Sequence, residues 1–381
     1  MIQKGLLKKL AEVEASGLPF ISVYLNAQPD EHGKDNFDAF LRKQLSEQAD
    51  NFEEDSVELE SFERDAERIR EFIKDIRPSA NGVAIFACAG ADDFFQTIQF
   101  DVPFENNRFF VFDRPHLFPL ARLMAQNPKY AVVLADTNSA RILAFQRGRV
   151  LEKEEIENTK TNRTEVGGWS QMRYQRHIDN YHMHHAKEVI EELDKIVRDE
   201  DIKQIILAGN EEVVIPILRE NLTKELEGKI VGTVRADIDE PEKELFEKVE
   251  QMIHEDNTLK DKEKIDNLFE QNYDEGLGVT GVEKTLEALA NGQVQELYLS
   301  ANFNDIEFSE KKVKKVLKAY APGEDGEMPN VKEPREIADE LVRRAIESAD
   351  DIRFIEDGNL LEKVGGVGAL LRYRMTANQN T

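Results

Sequence analysis

Residues Tyr130 to Ile156 read YAVVLADTNSARILAFQRGRVLEKEEI, three strand-like runs divided by two turn signals. Tyr130–Ala135 and Ala140–Gln146 are apolar and partly β-branched, and Arg147–Ile156 is polar around a few apolar residues. Asp136-Thr137-Asn138 and Gln146-Arg147-Gly148 have tight-turn chemistry, so the runs predict three antiparallel strands. Beyond a polar loop the period changes from two to 3.6. A helix from about Gln171 to Arg198 is followed by a buried strand over Lys203–Ala208 (KQIILA), which ends at Gly209-Asn210. A helix over Val213–Leu222, a strand over Lys229–Val234 and a helix from Glu240 complete the pattern.

A three-strand meander followed by α/β alternation is the element order of an RNase H-like mixed sheet. Upstream, Gln3–Ala15 predicts a helix that stops at Gly17-Leu18-Pro19, and Phe20–Leu25 (FISVYL) predicts a strand. A charged helical region runs from about Phe37 to Ile76, with Leu41, Leu45, Phe52, Ile69 and Phe72 as its apolar stripe, and Pro78 ends it. Short strands follow at Gly82–Ala87, Phe94–Phe100 and Arg108–Phe112. Downstream, helices at Gly281–Ala290, Glu310–Ala319 and Glu336–Ser348 alternate with strands at Glu296–Ser300, Arg353–Ile355 and Ala369–Tyr373. Ala321–Pro334 reads as a turn-rich surface loop. The fold class expected is α/β in the mixed, α+β sense, with three domains over residues 1–126, 127–258 and 259–381.

The 381 residues hold 40% hydrophobic and 33% charged side chains, a globular composition without an apolar run long enough to span a bilayer. The first residues, MIQKGLLKKLAEVE, form a charged amphipathic pattern unlike a signal peptide. A single cysteine, Cys88, excludes an internal disulfide and a Cys-based zinc knuckle. Cys88 sits in the apolar context Phe86-Ala87-Cys88 and reads as buried structure. A cytoplasmic protein is expected, without membrane contact.

The net charge of −26 argues against a general nucleic-acid binder, but the charge is unevenly spread. Gln44–Ile76 carries 12 acids against four bases, and Asp237–Glu270 carries 13 against five. Asn158–Lys187 reverses this with five Lys/Arg, two acids and four of the seven histidines. Lys311–Lys318 (KKVKKVLK) has five lysines and no acid. Two basic zones of this kind can meet RNA while the acidic faces are repelled elsewhere.

One loop carries the candidate chemistry: Thr164-Glu165-Val166-Gly167-Gly168-Trp169-Ser170-Gln171, leading into a helix that opens Met172-Arg173-Tyr174-Gln175-Arg176-His177. Adjacent glycines let backbone approach a partner closely. The N–H groups of a following helix start suit an oxyanion or phosphate. Arg173 and Arg176 are one turn apart and can bridge successive phosphates. Trp169, the only tryptophan, is suited to stacking on a base, and Gln171 can orient a water or hydroxyl as both donor and acceptor. Glu165 is a general-base candidate, though a loop carboxylate is more commonly just solvated. His182, His185 and Glu188 are spaced i, i+3 and i+6, which zinc can use, but a polar helix face or phosphate contact is the favoured reading, and no metal is expected.

Taken together, these features resemble the archaeal and eukaryotic class-1 peptide release factor and Pelota superfamily. The likeness points to the bacterial and archaeal branch related to the ribosome-quality-control peptidyl-tRNA releasing factor. Release factors of that kind carry a Gly-Gly-Gln loop followed by Ser and two arginines spaced by three. Gly167, Gly168, Ser170, Arg173 and Arg176 fall on that pattern. Trp169 stands where the catalytic glutamine would be, and a glutamine follows two residues later as Gln171. The run Gly276-Leu277-Gly278-Val279-Thr280-Gly281 with Val282–Ser300, and the ending Val364–Tyr373, resemble the family's C-terminal domain, which has the fold of kink-turn-binding ribosomal proteins. The first unit lacks the Asn-Ile-Lys-Ser and Tyr-x-Cys-x-x-x-Phe codon-reading signatures.

The resemblance implies a ribosome-associated release or rescue factor that acts on peptidyl-tRNA in the large subunit, independently of codon. Gln171, Gly168 and Gly167 would be catalytic, and Trp169, Ser170, Arg173, Arg176 and Arg163 would hold RNA. Cleavage near the tRNA 3′ end is a variant of the same chemistry. A non-catalytic Pelota-like ribosome-binding module is the alternative. No cofactor is implied, and a partner GTPase or ATPase would engage the C-terminal domain.

Overall fold

The structure, a computed structural model, describes residues 2–13, 17–29, 37–126, 129–146, 149–157, 169–273, 276–320 and 331–374. Its architecture is mixed α+β, with three sheets among the described residues. In chain order the first segment contains α1 (Ile2–Ala11), β1 (Phe20–Asn26), α2 (Phe37–Ala49), α3 (Val57–Phe72), β2 (Gly82–Cys88), β3 (Phe94–Phe100), β4 (Arg108–Phe112) and α4 (Phe118–Gln126). Then come β5 (Tyr130–Ala135), β6 (Ser139–Gln146), β7 (Arg149–Glu157), α5 (Trp169–Asp199), β8 (Gln204–Gly209), α6 (Val214–Asn221), α7 (Lys224–Glu227), β9 (Ile230–Val234) and α8 (Glu242–Glu270). The last segment holds β10 (Gly278–Thr280), α9 (Val282–Ala290), β11 (Val294–Ser300), α10 (Glu310–Ala319), α11 (Pro334–Ser348), β12 (Asp351–Ile355) and β13 (Val367–Leu371). The chain forms two compact units: Asn127–Leu259, and a composite unit of Met1–Gln126 with Lys260–Thr381.

In the central unit the sheet order is β7-β6-β5-β8-β9. Strands β5, β6 and β7 are antiparallel neighbours, while β8 runs parallel to β5 and β9 parallel to β8, the arrangement expected from the meander and the alternation after it. Strand β5 is apolar throughout because both of its faces are covered. Ala131, Val133 and Ala135 pack with Val189 and Leu193 of α5. Tyr130, Val132 and Leu134 pack on the other side with Leu245, Val249 and Ile253 of α8. The β5–β6 turn is held by Asp136, whose Oδ1 accepts the N–H of Asn138 and of Ser139, each at 2.7 Å. Helix α7 was not anticipated; Thr223 caps it by accepting the Leu226 N–H at 3.2 Å.

The composite unit carries two sheets, β3-β2-β1-β4 and β10-β13-β11-β12. The first is antiparallel throughout. In the second, β11 and β12 are parallel and the other pairs antiparallel. Alternation along β1 sends Ile21, Val23 and Leu25 to a core beneath α2 and α3, and Phe20 and Tyr24 to the opposite face. That opposite face shares one core with Leu286, Leu297, Val313 and Leu341, so the two sheets are stabilised by a common apolar interior.

A buried polar cluster joins the same two segments. Asp339 Oδ1 of α11 accepts the N–H groups of Leu117 and of Phe118, the latter at 3.0 Å, and lies 3.4 Å from His116 Nδ1. Arg343 donates to the carbonyls of Ala11 and Pro115. The helical region expected over Phe37–Ile76 is two helices: Asp55 takes φ +59°, and Ser56 Oγ accepts the Leu59 N–H at 3.1 Å to start α3 afresh. Cys88 ends β2 fully buried.

Candidate functional site

Gly167, Gly168 and Arg163 lie outside the described residues, as do most of the loop before α5 and the catalytic arrangement expected around them. Trp169, Ser170, Gln171, Arg173 and Arg176 belong to the start of α5. Here the structure differs from the sequence expectation, which started the helix at about Gln171 and left Trp169 and Ser170 in the loop. The helix begins at Trp169, so Gln171 sits in its first turn. The N–H groups of the first three residues of an α-helix have no intrahelical acceptor, and here they belong to Trp169, Ser170 and Gln171. A 31-residue helix also places its positive dipole end there. Positions 173 and 176 are separated by 300° of helical rotation at about 100° per residue, so they share a face.

Further along, α5 is fixed by apolar packing. Ala186, Val189, Ile190, Leu193, Ile196 and Val197 are buried against the sheet. His185, only 4% exposed, stands at the head of this apolar face. Burial lowers its pKa, opposed by a hydrogen bond with the Ser139 backbone and by the charges of Asp136 and Glu188. The hydrogen bond with Ser139 ties α5 to the β5–β6 turn. His184 is exposed and His182 is half-buried. Among the described residues no cluster of three His, Cys, Asp or Glu side chains is placed to hold a metal ion.

The second basic zone is α10, whose lysines and apolar residues separate cleanly. Val313, Val316 and Leu317 are buried, while Lys311, Lys312, Lys315 and Lys318 are exposed and Lys314 pairs with Glu310. The glycine-rich runs flanking this segment have backbone reasons. Gly281 precedes α9 with φ +83°, and a Cβ on Gly366 (φ +75°) would meet the Asp305 carbonyl oxygen at 2.6 Å. Both glycines are therefore structural. Among the described residues no helix is long and apolar enough to cross a membrane.

Two family models match the chain in succession. Bacterial archaeo-eukaryotic release factor family 10 covers residues 115–254, and domain 3 of the eukaryotic-type release factor covers residues 258–375. The chain is 25% identical over 289 residues to "Peptide chain release factor subunit 1" of Thermococcus kodakarensis, covering 68% of this chain and 69% of that protein. It is 26% identical over 292 residues to the protein of the same name in Thermococcus sibiricus, with the same two coverages. A solved structure described as ribosome-bound archaeal Pelota and ABCE1 is 16% identical, covering 77% of this chain and 78% of that one at a TM-score of 0.40. The two models together take in the central sheet, α5 and the lysine helix, with residues 255–257 between them. The chain belongs to the release-factor and Pelota superfamily of translation factors.

Proposed function

We propose that this protein acts at the ribosome as a rescue factor that frees a nascent chain from peptidyl-tRNA, whatever codon stands in the A site. The observation that carries the reading is the start of α5 at Trp169, immediately after Gly167-Gly168. It sets several unpaired backbone N–H groups beside Gln171, the residue suited to orient a nucleophile. In the proposed reaction, Gln171 and the Gly168 backbone position a water at the ester carbonyl. The water oxygen bonds to that carbon, the helix-start N–H groups stabilise the oxyanion, and the ribose oxygen leaves with a proton. Arg163, Arg173 and Arg176 hold phosphates, with Ser170 beside them, and Trp169 stacks on a base.

The large ribosomal subunit and peptidyl-tRNA are the partners in this reading, and the segment after residue 259 engages a GTPase or ATPase. A non-catalytic ribosome-binding role is the second reading. It is favoured by Trp169 occupying the position where release factors carry their glutamine.

Stalled ribosome–nascent-chain complexes incubated with the protein decide between these. Free peptide with intact tRNA is expected, and Gln171→Ala should slow it by about 10²-fold or more while leaving ribosome binding unchanged. Shortened tRNA would shift the chemistry to phosphodiester cleavage by a 2′-hydroxyl. Binding without any product, or release unchanged in the variant, would overturn the catalytic reading.

A further inference from the structure

The composite unit contains a cleft of about 380 Å³ whose walls come from both of its chain segments, α2 and β4 on one side and the turn at Phe303–Asp305 with the start of α11 on the other. It lies outside the central unit that carries Gln171. A volume of this size is in the range of small-molecule sites. We propose that this cleft binds a nucleoside phosphate, either as a free nucleotide or as one nucleotide of a single RNA strand.

The side chains supply each part of such a ligand. The exposed guanidinium of Arg108 lies over the Phe303 ring, 5.5 Å from its centroid, and among the described residues no carboxylate is within 4.0 Å of it. Its outer face is free to stack on a base or meet a phosphate. Arg335 places a second guanidinium in the lining; its Nε is 2.8 Å from Glu333 Oε2. Two cations and one anion leave this cleft with net positive charge in a chain of net −26.

The amides complete the set. Asn107 Oδ1 accepts the Asn26 N–H at 2.7 Å, which leaves its NH₂ as a donor. The Asn304 NH₂ donates to Asn302 Oδ1 at 3.1 Å, which leaves its own Oδ1 as an acceptor. One free donor and one free acceptor beside an aromatic wall match the edge and face of a base. An acidic peptide would satisfy the arginines but leave the aromatic surface and the amides unused.

The test uses the purified full-length protein without ribosomes. Equilibrium dialysis with AMP, UMP and inorganic phosphate is run beside fluorescence anisotropy with a labelled ten-nucleotide single-stranded RNA. Nucleotide or RNA binding is expected, with Arg108→Glu weakening it at least tenfold at an unchanged melting temperature, because that side chain is exposed. Asn304→Ala, also exposed, should weaken it severalfold without touching the core. RNA binding more than tenfold tighter than AMP or UMP assigns the strand as source, and equal affinity assigns the free nucleotide. No binding by millimolar nucleotide and micromolar RNA, binding of phosphate as tight as of AMP, or binding unaffected by Arg108→Glu would overturn the proposal. Gln171→Ala should leave this binding intact, so its failure and that of the release reaction are separate results.

Discussion

Asp65 and His116 are both buried in the composite unit, and burial moves their pKa values towards each other. Desolvation raises Asp65 to about 6, against the Ala89 N–H that its Oδ2 accepts at 2.7 Å and the nearby Arg68. Desolvation lowers His116 to about 4, against the pull of Asp339. The signs are opposite. A carboxyl with a raised folded-state pKa contributes stability that is complete below its ordinary value of 3.8 and lost as pH rises through 6. A histidine with a lowered one contributes stability that is complete above its ordinary 6.5 and lost as pH falls towards 4. Between pH 4 and 6 the two slopes offset, each amounting to at most about 3 kcal/mol across its window. Asp65→Asn, whose amide oxygen can still accept the Ala89 N–H, should raise the melting temperature at pH 7 and gain nothing at pH 3.5. His116→Gln should flatten the loss of stability on the acid side. A series of thermal melts from pH 3.5 to 7.5 checks both, and parallel curves for wild type and Asp65→Asn would refute the assignment. Asp339→Ala has a different origin: it removes the carboxylate that faces the buried Arg343 and the acceptor of two backbone N–H groups, at a cost of about 3–5 kcal/mol. Residue identities announced little of this. Cys88 read as buried from its neighbours alone, but the partnership of His116 with Asp339 joins positions more than 200 apart, and nothing local signals it.

At the level of helices and strands, α5 and α10 show what apolar spacing can and cannot specify. In α10 the pattern places Val313, Val316 and Leu317 inside and four lysines outside, and the structure has that division. If those lysines meet RNA, Lys312→Glu with Lys315→Glu should keep the fold and reduce the salt dependence of ribosome binding, since each lost phosphate contact lowers the slope by about one. Ribosome pelleting at increasing salt measures this, and an unchanged slope would remove α10 from the contact surface. In α5, Leu193→Ala should destabilise the central unit by about 2–5 kcal/mol, read by urea denaturation, because the side chain is fully buried beneath the sheet. Strand positions were legible because period-two alternation and turn residues mark both ends, as at Asp136-Thr137-Asn138. The break between α2 and α3 was not, since Gln48–Glu54 contains helix-compatible residues and only Ser56 announces the new start. Strand β10 has three residues, too few to show a period, and Phe118–Gln126 has as its second residue Pro119, which suits a helix start as readily as a turn. The Gly167-Gly168 pair lies outside the described residues, and the start of α5 at Trp169 depends on backbone geometry that spacing does not encode.

If the protein works at the ribosome as proposed, the segregation of charge along the whole chain bears on which sites are open to it. Gln44–Ile76 has net charge −8, from four bases and 12 acids, and half of it stands on the turn between α2 and α3, where Asp50, Glu53, Glu54 and Asp55 are exposed. Opposed to phosphates at 4 Å, each such charge costs roughly 1 kcal/mol in water and more where water is excluded. On the function proposed above, codon reading through this segment would be disfavoured. Release should be the same on ribosomes with a stop codon, a sense codon or an empty A site; a stop-codon preference above about tenfold, or 1.4 kcal/mol, would restore ordinary termination. The composite unit also imposes a schedule on the protein's own synthesis. Residues up to Gln126 must wait for those after Lys260 before their shared apolar face is covered. At about 5–20 residues per second, the remaining 255 residues take roughly 13–50 s to emerge. During that interval the nascent first segment presents Phe20, Tyr24 and Leu117 to solvent, and premature arrest leaves it permanently unclosed. A factor proposed to clear arrested chains is thus itself a chain that arrest would spoil.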